Sequence, residues 1–480
     1  MNKSQQNDFF NRVIMKGSKK KFLTVGGAAR DMYRGLESND IDKVAIGYTA
    51  EDLLSMGLEM TGKDFPVFRG SHIEENAEIA LLRTERANGK GGYGGFTCET
   101  ENVTIDQDLL RRDLTINAMI INEDGVFYDP LNGRADIDNK VLRHTSPAFA
   151  EDPVRVLRLA RFKARFSDFS IAPETYELVL SMRNDLHSLT KERVFKEVKK
   201  ALSEDKPHLF FITLHELGVL DILFPEIYQM TLVNHGNKYH MEGSIFNHVM
   251  LVLASVAKIT TNLVSRYASL YHDIGKVTSF IETGTFHEHS SEDLVMELLY
   301  EVKTRYKVPN DYYKMTKFVA INHHRVLDFK EKMTMKKIIK TFNSSFFPKN
   351  ESDLRCMLDA IVADTHGRII LKKGPFVTLD LFESLDALES SEYERISSTH
   401  KISYVSGKFL RKDFIDIEEI VKMFNAYKAV SGDPYLVDHP VPKGEGKEVM
   451  DLHIVNINQY LHKERIKAAL AARKSHREAL

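Results

Sequence analysis

The chain changes character at Pro153, and this change constrains the fold more than any other feature of the sequence. From about Phe22 to Val141, short apolar segments alternate with turns, and the stretch from Thr49 to Met56 has the pattern of an amphipathic helix with Thr49 at its N-cap. The strand-like segments read FLTV, KVAI, EIALL, LTINAMII and VFYDP. Beyond Pro153, long amphipathic helical segments follow one another. The order predicts an α+β protein in which a small α/β domain precedes an all-helical part.

Two aspartates stand where the second predicted strand begins. In VGGAARDMYRGLESNDIDKVAIG, two glycines follow the first strand, and Asp40 and Asp42 enter the next one. Because side chains alternate along a strand, both carboxylates face the same way and can share a divalent metal. Oxygen ligands suit Mg²⁺, which takes its remaining ligands from water and substrate phosphates. A solvated turn has the same composition, so these residues alone leave both interpretations open.

The helix VRVLRLARFKARF is basic on one side and apolar on another. At 100° per residue, its arginines occupy one third of the circumference; they are Arg155, Arg158, Arg161 and Arg165. Guanidinium groups carry forks of donors that match phosphate oxygens, which favours a triphosphate or an RNA backbone as partner. The alternative is a surface helix with solvated arginines.

Charge and cysteine content restrict the class of protein. The formal net charge is −2, so any contact with nucleic acid must come from local basic faces. The two cysteines, Cys98 and Cys356, argue against a disulfide framework and favour a reducing cytoplasm. The sequence shows neither a signal peptide nor an apolar run long enough to span a bilayer. We therefore expect a cytoplasmic protein without a membrane partner.

Several motifs occur together and in order, and together they resemble one family. The segments are VGGAARD, NDIDKVAIG, DFPVF, LLRTERANGKGGYGGFT, LLRRDLTINAMI, DPLNGRADI, LRHTSPAFAEDPVRVLRLARFKARF and SLYHDIGK. They resemble the bacterial CCA-adding enzymes (tRNA nucleotidyltransferases), in the class that also contains bacterial poly(A) polymerases. The resemblance runs from about Leu23 to Arg368. It implies a small nucleotidyltransferase-fold head followed by helical neck, body, HD domain and tail. The implied boundaries are 1–21 for an N-terminal extension, 22–150 for the head, 151–230 for a neck that binds RNA and nucleotide, 231–370 for an HD phosphohydrolase domain and 371–480 for a helical tail.

The resemblance also implies roles for individual residues of the head and neck. Asp40 and Asp42 would hold catalytic Mg²⁺, and Asp152 and Arg155 would read the base. The further nucleotide contacts it implies are Gly27, Arg30, Arg112, Asp113, Arg158 and Arg161. A third metal-facing carboxylate is left open between Asp106 and Asp108.

The chemistry of an Asp-Arg pair agrees with that base-reading role. Cytosine and adenine both present an exocyclic amino donor beside a ring-nitrogen acceptor, whereas uracil presents a carbonyl acceptor beside an N–H donor. A carboxylate only accepts and a guanidinium only donates, so Asp152 with Arg155 fits C and A and mismatches U. Leaving a buried polar partner unpaired makes the rejection strong. Such a pair suits template-independent addition of CCA to the 3′ end of tRNA from CTP and ATP.

Histidines are concentrated between Asn234 and Gly367. They are His235, His240, His248, His272, His287, His289, His323, His324 and His366. Adjacent His272 and Asp273, interpreted as lying on a helix, are 100° apart and close enough to ligate one metal. The pattern resembles the HD phosphohydrolase domain of some CCA-adding enzymes, which implies His248, His272, Asp273 and Asp364 as ligands of a divalent metal (Ni²⁺, Mn²⁺ or Mg²⁺). His287, His289 and His323 are outer or second-metal candidates. A satisfied core histidine is the alternative for each one alone.

Other functions remain possible at this stage. A poly(A) polymerase shares the head and neck, but the segments VAIG, DFPVF and RTER and the HD pattern resemble CCA-adding enzymes instead. Intact Asp40, Asp42, Asp152 and Arg155 argue against an HD phosphohydrolase whose nucleotidyltransferase-like half only binds RNA. A (p)ppGpp synthetase/hydrolase typically has the opposite domain order. The preferred hypothesis predicts contact with the 3′ end and the acceptor stem or elbow of tRNA, in a monomer or homodimer.

Overall fold

The computed structural model describes residues 3–38, 41–61, 66–70, 77–87, 96–235, 242–329, 333–367, 369–371, 402–404, 416–442 and 447–479. They divide into two compact units, Met1–Pro225 and Glu226–Leu480. A small sheet lies in the first unit and helices dominate the remainder, so the predicted α+β class is confirmed. Across the described ranges, no helix is both long and apolar enough to cross a membrane.

A mixed sheet forms the core of the head in the first unit. The strands up to the neck are β1 (Lys21–Val25), β2 (Ile41–Ile46), β3 (Glu59–Thr61), β4 (Val67–Arg69), β5 (Ala77–Leu81), β6 (Thr84–Ala87), β7 (Phe96–Glu99), β8 (Ile120–Ile121) and β9 (Phe127–Tyr128). Seven of them form one sheet in the order β3-β4-β5-β2-β1-β8-β9, while β6 and β7 pair separately. Strand β2 runs antiparallel to β1 and parallel to β5. The parallel register places Asp42 directly beside Glu78.

Helices surround this sheet and form the neck. In chain order they are α1 (Lys3–Phe9), α2 (Gly26–Tyr33), α3 (Ala50–Ser55), α4 (Ile105–Leu110), α5 (Gly133–Asp138), α6 (Val154–Arg165), α7 (Pro173–Ser181), α8 (Lys191–Ser203), α9 (His208–Glu216) and α10 (Leu220–Leu223). Short parallel strands β10 (Val141–Leu142) and β11 (Ser170–Ile171) join head to neck. A π-helical turn, Phe10–Ile14, follows α1 and packs Phe10 and Ile14 into the same core as Leu23 and Val25.

Two local predictions for the head have different outcomes. Thr49 caps α3 as predicted, because its hydroxyl accepts from Asp52 N and the Asp52 side chain accepts from Thr49 N. The segment LTINAMII was predicted as a strand, but only Ile120–Ile121 is one. Thr115–Asn117 forms a 3₁₀ turn instead. The Thr115 hydroxyl donates to Asp136 and the Asn117 amide donates to Asp113, which competes with strand pairing.

The second unit is largely helical. Its helices are α11 (Pro225–Gln229, which begins at the unit boundary), α12 (Ile245–Ile259), α13 (Leu263–Leu270), α14 (Lys276–Thr283), α15 (Glu292–Tyr306), α16 (Asn310–Leu327), α17 (Met335–Asn343), α18 (Glu351–His366), α19 (Ile417–Ala429), α20 (Asp433–Asp438) and α21 (Lys447–Glu478). Helices α12, α13, α16 and α18 pack against one another, and α19 packs on α21. A two-stranded pair, β12 (Ile369–Leu371) and β13 (Ile402–Tyr404), completes the unit.

Candidate active sites

A cavity of about 750 Å³ opens in the first unit between the edge of the sheet, α2, α6 and α8. Every nucleotide-site residue predicted from the sequence lines it, except Asp40, which lies outside the described residues. The predicted residues on its wall are Gly27, Arg30, Asp42, Arg112, Asp113, Asp152, Arg155, Arg158 and Arg161. The structure therefore brings together residues from both sides of Pro153.

Gly26 allows the first βα turn to pass close to the charged groups of this cavity. Its φ is +73°, a conformation that favours glycine. A Cβ there would lie 3.1 Å from Arg112 Nη1 and 3.4 Å from Asp42 Oδ2. A larger residue would therefore intrude between the Asp42 carboxylate and the Arg112 guanidinium.

Glu78 is a candidate third carboxylate that sequence reasoning missed. It lies beside Asp42 on the neighbouring parallel strand and also lines the cavity. Glu78 accepts a hydrogen bond from Arg69 Nη2, and the two carboxylates considered from the sequence have partners as well. Tyr128 Oη donates to Asp106 at 2.6 Å, and buried Asp108 accepts from Arg111 and Arg112. The segment EIALL reads as an ordinary strand, and only its pairing with β2 distinguishes Glu78 from a surface residue.

Three arginines on the cavity wall, Arg30, Arg158 and Arg161, are held by polar partners. Arg30 is 3% exposed and donates to Asp31 at 2.9 Å and to Asn117 at 2.6 Å. Arg158 Nη2 lies 2.6 Å from Asp113 Oδ2, and Arg161 Nε lies 2.8 Å from Glu197 Oε2. On the opposite side of α6, the apolar residues predicted to face the core are buried; these are Val156, Leu159, Ala160 and Ala164. The cavity wall is thus a network of charges held in place before a ligand binds.

Both members of the predicted base-reading pair lie on this wall. Arg155 donates to the backbone oxygens of Ala148 and Arg111, each at 2.6 Å. Asp152 Oδ2 lies 2.6 Å from Nη2 of Arg193 on α8. Arg193 was not predicted, because nothing in the sequence links α8 to the start of α6. Its ion pair fixes the orientation of the Asp152 carboxylate.

In the second unit, the four predicted metal ligands converge. Ligand atoms of His248, His272 and Asp364 lie within 4.8 Å of one another. His248 Nε2 lies 3.2 Å from His272 Nε2 and 3.2 Å from Asp364 Oδ1. Asp273 Oδ2 lies 3.3 Å from His248 Nε2 and 3.1 Å from His272 Nε2. All four side chains are at most 1% exposed.

The prediction that His272 and Asp273 lie on a helix is wrong. Helix α13 ends at Leu270, and both residues lie on the tight turn that leads into α14. Short-range bonds shape the turn: Ile274 N donates to Tyr271 O, and Lys276 N donates to Asp273 O. Gly275 lets the turn approach another segment, since a Cβ there would lie 2.1 Å from the backbone oxygen of His289.

A second histidine group lies on the other side of Asp273. Ligand atoms of His289, His323 and His324 are within 4.8 Å of one another. Asp273 Oδ1 lies 3.5 Å from Nε2 of both His289 and His323. The two oxygens of Asp273 therefore face two different histidine groups. His324 was not predicted as a ligand, while His287 is exposed and lines an adjacent cavity.

Hydrogen bonds to the outer ring nitrogens orient these histidines. His272 Nδ1 donates to Ser269 O at 2.7 Å, His323 Nδ1 to Ala320 O at 3.0 Å and His289 Nδ1 to Phe286 O. His248 Nδ1 lies 3.0 Å from Gly367 O and 3.1 Å from Glu242 Oε1. Such outer partners accept the Nδ1 proton and turn Nε2 of each ring inward. Imidazole nitrogens and carboxylates that converge in a buried space are donors of the kind that bind divalent metals, and this donor set therefore suits a divalent metal.

The pKa values of the second group agree with this. Burial lowers the pKa of His289 to about 4 and that of His324 to about 2. Both rings are therefore neutral at neutral pH, which is the form that ligates metals. Asp273 is ionised, because His272 and Lys276 outweigh the effect of burial and hold its pKa well below the usual range.

Comparison with known proteins identifies the class and then the family. The family model described as "Poly A polymerase head domain" matches residues 22–143, and the one described as "Probable RNA and SrmB- binding site of polymerase A" matches residues 168–230. The first unit is therefore a nucleotidyltransferase of the poly(A) polymerase type. The chain is also 40% identical over 361 residues to the multifunctional CCA protein of Shewanella denitrificans, an alignment that covers 74% of this chain and 86% of that protein. It belongs to the bacterial CCA-adding enzyme (tRNA nucleotidyltransferase) family.

Solved structures share the fold. The crystal structure of the Bacillus stearothermophilus CCA-adding enzyme in complex with CTP aligns over 100% of both chains at 20% identity, with a TM-score of 0.56. A CCA-adding enzyme in an apo form aligns over 95% of this chain and 96% of that chain, also at 20% identity, with a TM-score of 0.51. At this identity the likeness shows the fold alone.

Proposed function

We propose that the protein completes and repairs the 3′-terminal CCA of tRNA from CTP and ATP, without a template, in the cytoplasm. The observation that carries the proposal is the shared cavity of about 750 Å³, which holds Asp42 and Glu78 on the sheet together with Asp152 and Arg155 at the start of α6. Membership of the CCA-adding family supports this activity over that of a poly(A) polymerase.

The reaction joins the 3′-hydroxyl oxygen of tRNA to the α-phosphorus of CTP or ATP and releases pyrophosphate. Asp40, Asp42 and Glu78 would hold Mg²⁺, which when bound stabilises charge on the attacking and leaving oxygens. The arginines of the cavity orient the triphosphate and neutralise its charge. Because these groups are held in place, they can align the tRNA hydroxyl and the triphosphate for reaction, which solvent cannot do.

Asp152 and Arg155 would select the base. Arg193 occupies Oδ2 of Asp152, and Oδ1 accepts a 3.2 Å bond from Val154 N. A carboxylate oxygen accepts more than one hydrogen bond, so Oδ1 can also accept the amino group of C or A. Uracil carries a carbonyl oxygen at the position of that amino group. Two acceptors, this carbonyl and the Asp152 carboxylate, would then face each other with no hydrogen to share.

A tailing assay tests this function. Transfer RNA that lacks CCA is incubated with CTP and ATP, and the products are resolved at single-nucleotide length. We expect two C, then one A, then arrest, and no product from Asp42→Ala with tRNA binding preserved. A long A tail would instead identify a poly(A) polymerase. Exchange of the base readers, Asp152→Arg with Arg155→Asp, should shift nucleotide choice away from C and A; unchanged choice would contradict their role.

We further propose that the second unit is an HD phosphohydrolase acting on phosphomonoesters or cyclic phosphodiesters at RNA ends. His248, His272, Asp273 and Asp364 would hold one divalent metal (Ni²⁺, Mn²⁺ or Mg²⁺), and His289, His323 and His324 with Asp273 would hold a second. When bound, such metals activate water for attack on phosphorus. The water oxygen bonds to phosphorus, one ester P–O bond breaks, and the released ribose oxygen takes a proton.

Phosphatase and cyclic phosphodiesterase assays with added divalent metal test the second activity. We expect hydrolysis by the wild type, loss of hydrolysis in His272→Ala with tailing preserved, and no change in His439→Ala, an exposed histidine of the same unit. A wild type that hydrolyses neither substrate with any of the three metals would refute the proposal.

A further inference from the structure

A separate cavity of about 350 Å³ lies beside the second histidine group. His289 and His324 of that group lie in its wall, together with His235, Lys276, Phe286, His287 and Ser290. Its volume is at the lower end of the range for small-molecule sites. The space therefore accommodates one small ligand rather than an RNA helix.

One wall of this cavity is aromatic. The Phe286 ring stacks on Phe280, with centroids 5.1 Å apart and an angle of 17° between the planes, and His235 lies 5.5 Å away. Phe280 is 39% exposed and the adjacent Ile281 is 74% exposed. Of the two stacked phenylalanines, Phe286 lines the cavity, and because metal ligation does not require its ring, the ring can contact another part of a ligand.

The aromatic wall is tied to the histidine group. The backbone oxygen of Phe286 accepts the bond from His289 Nδ1, so the two residues share one segment and one orientation. Gly275 packs the metal-binding turn against the backbone of His289. The Ser279 hydroxyl donates to Thr285 O at 2.9 Å and anchors the start of the same segment. Phe286 is therefore held at a fixed distance from the reacting centre.

Lys276 adds a cationic group to the wall of this cavity. Lys276 Nζ lies 2.7 Å from Asp273 Oδ2 and 2.9 Å from His235 Nε2. An ammonium group at the border between a metal-binding cluster and a cavity is placed to contact a phosphate oxygen. The cavity wall thus offers a cationic group that suits phosphate and an aromatic ring that suits a flat base.

We propose that this cavity binds a single terminal nucleotide, with its phosphate at Lys276 and the histidine group and its base stacked on Phe286. The inference rests on the proposed phosphohydrolase function and deepens it: the substrate is a nucleotide with an intact base at an RNA end or in free form. Base stacking on an aromatic side chain tolerates any base, so the site would require a base without selecting its identity.

The test pairs a change in the enzyme with a change in the substrate. One RNA oligonucleotide ends in a 2′,3′-cyclic phosphate on adenosine, and its control ends in the same group on an abasic ribose. In the metal-loaded full-length protein, we expect Phe286→Ala to lower kcat/KM about tenfold on the first RNA and to leave it nearly unchanged on the second. Phe286→Tyr should retain activity, whereas Phe286→Leu, which preserves most of the volume, should resemble alanine.

Free 2′,3′-cyclic AMP distinguishes the two sources of the nucleotide. If the terminal nucleotide alone fills the cavity, Phe286→Ala should lower kcat/KM for free 2′,3′-cyclic AMP as well. If the loss is seen only with the RNA substrate, the site binds RNA ends and not free nucleotides. Tyr300→Ala removes an exposed aromatic ring of the same unit that is not part of the cavity wall and serves as the matched control. Equal losses on adenosine and abasic ends, or no loss on either, would overturn the proposal.

Binding separates failure of this inference from failure of the phosphohydrolase proposal. Adenosine 3′-monophosphate is titrated into the full-length protein by calorimetry, with ribose 3-phosphate as the control ligand. We expect Phe286→Ala to weaken only the adenosine ligand, by about tenfold. If the wild type hydrolyses nothing but shows this difference, the binding site stands and the hydrolytic role fails. Equal binding of both ligands to wild type and variant rejects the site.

Discussion

The Asp113 carboxylate is ionised although it is buried. Burial raises the pKa of a carboxyl group, but Arg158 and the bonds from Asn117 and Leu114 N outweigh burial and hold the pKa of Asp113 well below its usual range. This pair links the head, through Asp113, to α6 of the neck. It therefore affects both stability and the shape of the nucleotide cavity.

Replacing Asp113 with Asn should destabilise the first unit. The change leaves Arg158 without its counter-charge; because that side chain is 34% exposed, water screens part of the loss, and we expect about 1 to 3 kcal/mol. The folded pKa is depressed, so the stability from Asp113 is present above its unfolded pKa of about 4 and is lost as the pH falls through the folded pKa. Urea unfolding of wild type and variant should therefore differ at pH 7 and converge in strong acid. Asp205→Asn, at an exposed position, is the control; a difference that persists at low pH would contradict the account.

Glu78→Gln tests the third carboxylate. If Glu78 is a metal ligand beside Asp42, its neutral isostere should lower nucleotide transfer by at least about a hundredfold while urea unfolding and tRNA binding change little. Glu59→Gln, on the exposed edge strand β3, should leave transfer unchanged. Normal nucleotide transfer by the Glu78 variant would show that Asp40 and Asp42 bind the metal without Glu78.

At the scale of elements, the local sequence pattern predicted some helices and strands correctly and others wrongly. FLTV, KVAI and EIALL overlap β1, β2 and β5, because apolar alternation and bounding turns are local signals. The turn that carries His272 and Asp273 was misread as helix, since its shape depends on a contact between Gly275 and the backbone of His289. Glu78 acquires a role only through the parallel register of β2 and β5. Residues that meet only through tertiary packing produce no periodic pattern in the sequence.

Gly275→Ala should therefore disrupt the histidine site more than it disrupts the helices around it. The added Cβ would lie 2.1 Å from His289 O, so either the turn with His272 and Asp273 or the segment with His289 must move. We expect at least about a tenfold loss of divalent-metal affinity by calorimetry, with helical circular dichroism retained. Gly284→Ala is the control: its φ of +68° costs about 1 kcal/mol, but nothing lies within 4 Å of the new Cβ and metal affinity should persist. Equal metal binding by both variants would show that the close approach is not needed.

At the scale of the whole molecule, each compact unit contains the described residues of one candidate site. The residues of the nucleotide cavity lie between Val25 and Lys200, and the converging histidines and aspartates lie between His248 and Asp364. Motifs identified the family to which the chain belongs. They did not show that Arg193 holds Asp152 or that Asp273 faces two histidine groups, because those contacts join segments far apart in the chain. The two activities should therefore be separable by mutation.

Metal binding provides a test of that separation that does not depend on catalysis. A ligand that binds only the folded state stabilises it by about 2.7 kcal/mol at a hundred times its dissociation constant. Added divalent metal should therefore increase amide-exchange protection in α12, α13 and α18, which carry or flank the histidine cluster, and leave α6 to α9 unchanged at metal concentrations too low to occupy the nucleotide cavity. His272→Ala should abolish the effect, and Asp42→Ala should preserve it.

Because Asp273 contacts both histidine groups, His323→Ala should retain part of the protection, whereas Asp273→Asn should remove nearly all of it. Equal protection in the wild type and in Asp273→Asn would refute a metal site centred on this carboxylate.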